Sequence, residues 1–179
     1  SAAKALENIG LTVEEARPKA LQMTPEINNS LNGGDGRAWV KRLVDSANTT
    51  EISPFLQKRL SSASPISTAE FTATLEMLDK YRSDMLFFMK DYDAIISPTA
   101  PFTACGHGET FSDKNRNAFA YTQAYNMTGW PGTVVRYGET EDNLPIGVQI
   151  VSRPWREDVS LAVALELEKI SGGWKRPNI

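Results

Sequence analysis

The chain has 179 residues, room for one domain of ordinary size and too little for two large ones; apolar residues at 41% and charged residues at 23% provide for a packed core and exclude wholesale disorder. Nineteen basic side chains against twenty-two acidic ones leave a net charge of −3, an unsuitable surface for holding a polyanion by counterion release, so nucleic acid is not an expected partner. One cysteine, Cys105, and one histidine, His107, exclude an intrachain disulfide and a zinc site built from several such ligands.

No apolar run approaches the length of a membrane span. The longest, near Met85 to Met89, is bracketed by Asp84 and Lys90. The first ten residues carry Lys4 and Glu7 with no hydrophobic region behind them, so the expectation is a cytoplasmic chain without a membrane partner. The sequons at Asn28, Asn48 and Asn126 are read as chance matches.

In chain order, Ala2 to Ile9 is compatible with a helix, and Gly10 sits where a left-handed cap belongs. Leu11 to Glu15 alternates briefly and reads as a strand, ended by Pro18. A helix feeding a strand is the second half of a crossover whose first strand is not in the chain. Residues 22 to 36, with Pro25, three asparagines and three glycines, read as an irregular connection within a single compact unit. Gly33, Gly34 and Gly36 lack the Gly-Lys-Ser/Thr ending of a phosphate loop.

Asp35 is expected to cap a helix through Trp39, Val40, Leu43 and Val44, and Pro54 to open another through Phe55, Leu56 and Leu60. Ser67 and Glu70 have the spacing of a capping box. The helix behind them, over 67–90, would be about 36 Å long. Its stripe of Phe71, Leu75, Leu78, Arg82, Met85 and Met89 reads as a core face.

Tyr92 to Ser97 is a compact strand signal, followed by an irregular segment from Pro98 to Gly108, the kind of strand-end connection on which α/β proteins build sites. Asn117 can cap a helix through Phe119, Tyr121, Tyr125 and Met127 that stops at Gly129. Strands are expected at Thr133–Tyr137 and Leu144–Val151, and a final helix from Glu157 to Ile170, acidic at its start and ended by Gly172. There is no internal repeat.

None of these segments carries a self-contained catalytic set. There is no Gly-x-Ser-x-Gly elbow, no His-Glu-x-x-His pair and no Cys-x-x-Cys pair. His107 lies between two glycines without an orienting partner, and Cys105 reads as a small packing thiol. Ser1 and Lys4 match Ser-x-x-Lys only as letters, and Asp91 with Asp93 would need more oxygen ligands to hold a cation. Ser112 lies two residues from Lys114, but that lysine sits in a polar run that favours its charged, non-basic form.

From Tyr92 onward the sequence resembles the C-terminal part of the amidase signature family. The residues that carry the likeness are Asp93-Ala-Ile-Ile-Ser-Pro98-Thr99-Ala-Pro101, Tyr121-Thr122-Gln-Ala-Tyr-Asn126-Met-Thr-Gly129-Trp-Pro131-Gly and Leu144-Pro145-Ile-Gly147-Val-Gln149-Ile-Val, with Arg156-Glu157-Asp158 opening the last helix. Ala3 to Pro18 resembles the helix and strand that follow the family's serine-rich core, while residues 22 to 66 match weakly.

The resemblance implies an α/β fold with a mixed β-sheet flanked by helices, here as a C-terminal fragment, and hydrolysis of an amide or related acyl bond. In that mechanism a serine attacks the carbonyl, a second serine on a cis peptide relays the proton, a lysine receives it, and loop amides hold the oxyanion. The lysine and the glycine- and serine-rich segment precede the matched part, so no residue here is given their roles. The resemblance implies no metal or organic cofactor, and a small-molecule amide as the partner of the complete parent.

It further makes Thr99, Phe102, Tyr121, Thr122 and Trp130 candidates for the acyl-pocket wall. Read without it, the aromatics pack and the threonines satisfy backbone groups. Asn126, Gly129 and Pro131 read as turn-makers, and Gln149 as a strand amide with a nearby partner. Missing neighbour strands would leave apolar sheet edges open to self-association. The alternative is a noncatalytic binding or interaction module on the same scaffold.

Overall fold

The computed structural model describes residues 1–112, 115 and 118–176; the cap expected at Asn117 and the amine of Lys114 lie outside these residues. Its elements are α1 (Ala2–Asn8), α2 (Thr24–Gly33), α3 (Ala38–Ser46), α4 (Pro54–Ser61), α5 (Thr68–Phe88), β1 (Ala94–Pro98), α6 (Ala120–Thr128), β2 (Gly132–Glu139), β3 (Pro145–Ser152) and α7 (Glu157–Ser171), with short 3-10 turns at Lys19–Met23 and Met89–Asp91. Contacts gather the chain into two compact units, one of Ser1–Leu21 with Ser83–Ile179 and one of Gln22–Arg82, where the sequence reading expected one.

In the first unit the strands pair antiparallel in the order β1-β3-β2, so the α/β class is as expected and the sheet is small. Ile150 lies opposite both Ile96 and Thr133, and Val148 opposite Val135. Because side chains alternate across a strand, these residues share one face. That face is covered by α1 and α7, whose Leu6, Ala164 and Leu167 cluster with Ile150, while Ala94, Ile96, Val135 and Val148 pack around them. The hydroxyl of Thr133 reaches that of Ser160 in α7 at 3.1 Å, so this polar pair under the helix is satisfied.

The strand expected at Leu11–Glu15 does not form. Val13 packs against the core, but Leu11 is exposed and the segment has no ladder partner among the described residues. Alternation over so few residues marked a half-buried extended chain and not a paired strand.

The second unit corrects the reading of 22–36, since residues 24–33 are helical. Pro25 suits the first turn, where no backbone N–H is needed, and Asn32 donates to the carbonyl and side chain of Asn28 at 2.9 Å, so turn-forming residues are satisfied within a helix. Gly36 has φ +63, and a Cβ there would lie 3.0 Å from Pro65, while the Ile66 N–H donates to Gly34 O at 2.9 Å. The glycines therefore admit the Pro65–Ile66 backbone at close approach.

Caps set the helix starts here. At α3 the N-cap position is Arg37, in the left-handed region at φ +59, and not the expected Asp35, whose carboxylate accepts from the Trp39 N–H at 3.0 Å from two residues before the cap. Ser53 accepts from the Leu56 N–H at 3.2 Å, and Ser67 and Glu70 form the reciprocal box at 2.8 and 3.2 Å. The bonds from Ser67 hold the Glu70 carboxyl below its usual range, and the Trp39 N–H does the same for Asp35. The buried face of α5 runs through Thr74, Leu78, Tyr81 and Met85 to Met89 beyond it, so Leu78, Met85 and Met89 of the expected stripe are buried, while Thr74 and Tyr81 take the places expected of Leu75 and Arg82, which are exposed. Thr24 and Tyr81 hydroxyls meet at 3.3 Å, and burial pushes the Tyr81 phenol up. Among the described residues no helix is long and apolar enough to cross a membrane.

Candidate functional site

The other face of the sheet carries polar residues that the alternation places together. Gln149 on β3 is directly opposite Ser97 on β1, and its buried amide donates to Ser97 Oγ and to the Tyr121 carbonyl in the first turn of α6, each at 3.3 Å. One side chain thus ties β1, β3 and α6. This is the strand amide with a nearby partner that the sequence led us to expect.

Thr99 follows β1 on the same face. A Cβ on Gly147 would lie 3.0 Å from Thr99 Oγ1 and 3.2 Å from Val134, so only a glycine lets that hydroxyl lie against β3. Thr99 Oγ1 is buried and has no hydrogen-bond partner, a condition that costs about 1–3 kcal/mol. Gly147, Ser97 and Gln149 were not singled out as site residues by the sequence reading. Their signal was the period of two, which puts polar or small side chains at 97, 99, 147 and 149 on one face.

The other candidates divide. The Tyr121 ring and Phe102 are partly exposed, Phe102 on the irregular segment beyond Thr99. Thr122 donates to Phe119 O at 3.2 Å and so serves the start of α6, and Trp130 is buried at the junction of α6 and β2. The structure thus brings Thr99, Gln149 and the Tyr121 carbonyl to one face, ties Thr122 to the start of α6 and buries Trp130.

The groups that could do covalent chemistry are elsewhere. Cys105 Sγ contacts Thr110 Oγ1 at 3.7 Å, and His107 is exposed. Every lysine among the described residues is exposed. The Ser112 hydroxyl is buried without a partner, but Lys114 lies outside the described residues. Among the described residues no group of three His, Cys, Asp or Glu could hold a metal.

The Amidase family model matches residues 1–161. The chain belongs to the amidase family. It is 28% identical to fatty-acid amide hydrolase 2-B of Danio rerio over 99% of the chain and 37% of that protein, and 34% identical to fatty acid amide hydrolase of Arabidopsis thaliana over 52% of the chain and 17% of that protein. Among solved structures, 6-aminohexanoate cyclic dimer hydrolase superposes with a TM-score of 0.79 at 24% identity, covering 99% of this chain and 41% of that one. That likeness is one of fold. The chain spans well under half the length of each of these relatives, and the family relation established on residues 1–161 agrees with the motifs read from Ala3 onward.

Proposed function

We propose that the chain is the C-terminal portion of an amidase-type domain, all of residues 1–179 belonging to it, in a hydrolase that cleaves acyl C–N bonds. It supplies scaffold and one wall of the substrate pocket, with Thr99, Phe102 and Tyr121 toward the substrate and Thr122 and Trp130 holding the wall. It is inactive alone. The observation that carries this reading is the orphaned Thr99 hydroxyl on the same sheet face as Gln149, whose Nε2 is engaged by Ser97 and the Tyr121 carbonyl. An amide offers a carbonyl acceptor and an N–H donor, and a buried hydroxyl without a partner can serve either.

The relatives bear the names of amide hydrolases, which makes a small-molecule amide the partner of the complete polypeptide. The attacking hydroxyl and the proton-accepting amine are then supplied by the remainder of the enzyme. The single free cysteine suits a cytoplasmic setting. β1 and β2 are edge strands among the described residues, and Val134 on β2 is exposed, which favours self-association of the isolated chain.

In the longer polypeptide, Thr99→Val is expected to raise KM for its amide substrate about 5–30-fold with kcat nearly unchanged, the signature of lost uniform binding. Unchanged KM across aliphatic, aromatic and peptide amides contradicts the assignment of Thr99 to the pocket. The exposure of every described lysine also favours a noncatalytic binding module, which differs in retaining amide affinity without any hydrolysing partner segment.

A further inference from the structure

The second unit holds an open cleft of about 380 Å³ between the ends of α2 and α4. Asn29, Ser30, Ser62 and Ser64 line it together with two arginines, Arg37 and Arg59. Neither arginine has a carboxylate within ion-pair distance among the described residues. The acid nearest in sequence to Arg37 is Asp35, whose carboxylate is engaged by the Trp39 N–H at the start of α3. Arg59 lies over the Phe55 ring at 5.4 Å, a contact that orients a guanidinium without neutralising it.

Two cations facing one cleft repel each other. Burial first, and then the charge of Arg37, pull the Arg59 guanidinium below its ordinary pKa. The C-terminal carbonyls of α2 and α4 offset part of this charge. Each helix end carries only about half an elementary charge, so two of them leave roughly one positive charge uncompensated. Hydroxyl and amide donors around the cleft add hydrogen-bonding capacity of the sign an oxyanion uses.

We infer that this cleft binds a tetrahedral oxyanion of the phosphate class, held between Arg37 and Arg59 with serine hydroxyls and the Asn29 amide as further donors. A guanidinium presents two parallel N–H groups to two oxygens, so two guanidiniums match a tetrahedral oxyanion with three or four oxygens better than a planar carboxylate with two. The site is independent of the amidase reading and is not a glycine phosphate loop, because the donors are side chains and Gly34 and Gly36 are occupied in approaching Pro65 and Ile66.

Calorimetric titration of the chain with inorganic phosphate, with acetate as the monocarboxylate arm, tests this. One phosphate per chain is expected, binding more tightly than acetate and weakening with added salt. Arg59→Gln and Arg37→Asn, the latter suited to the left-handed backbone at that position (φ +59), are each expected to weaken phosphate by at least about ten-fold, and Arg59→Lys by less, since it keeps the charge and loses the fork. Circular dichroism of each variant confirms that the helices persist. No phosphate binding by the wild-type chain, equal affinity in the wild type and folded variants, or acetate bound as tightly as phosphate overturns the inference.

Discussion

The sheet unit and the helical unit are stabilised by different means. In the first, Ile150 and Leu167 are fully buried where α1, α7 and the sheet meet. In the second, Ile27 of α2 and Tyr81 of α5 are fully buried, but α3 and α4 contribute no buried residue, and their starts are set by side-chain bonds at Asp35 and Ser53, as that of α5 is at Ser67, with Gly36 in close approach to Pro65. An apolar core is encoded by periodicity, which sequence reading detects. Helix starts fixed by caps and close backbone contacts are encoded by single residues.

This contrast can be broken most severely at Leu167. Leu167→Ala removes a fully buried side chain from the cluster around Ile150 and should lower stability by about 2–5 kcal/mol in denaturant unfolding. A loss near zero would mean that the cluster does not hold the first unit. A smaller effect is expected at Gly147, where an added Cβ meets Thr99 Oγ1 at 3.0 Å and Val134 at 3.2 Å. Gly147→Ala should cost about 1–3 kcal/mol, and Thr99→Ala in the same chain should restore part of it by vacating the contact. Additive losses would place Gly147 and Thr99 out of contact.

In the second unit Ser67→Ala should cost about 1 kcal/mol and speed hydrogen exchange in the first turn of α5. The partner carboxyl gives the box a pH dependence whose sign follows from its depressed folded pKa. Its contribution is complete above the ordinary glutamate range and is lost as pH falls through the lowered value. Protection that rises on acidification would contradict the capping geometry.

How much was legible follows the same division. The two later strands and α7 appeared at nearly their observed bounds because Ile146, Val148 and Ile150 alternate and Glu157 and Gly172 mark the helix ends. The capping box at Ser67 and Glu70 appeared for the same local reason. Helix α2 did not, because its asparagines and Pro25 carry turn propensity in isolation, and the fully buried Ile27 that holds it gives no periodic signal.

Leu11 to Glu15 failed in the opposite sense, alternation without a partner strand. At the candidate site, Thr99 and Tyr121 were found through resemblance. Gly147 and Ser97 needed the register of β1 against β3, which no single segment encodes.

The most direct measurement is an amide-hydrolysis assay on the purified 179-residue chain, using a chromogenic anilide at neutral pH. The account predicts no turnover above the uncatalysed rate. Turnover that co-purifies with the chain and is abolished by replacing one of its own serines or lysines would contradict it.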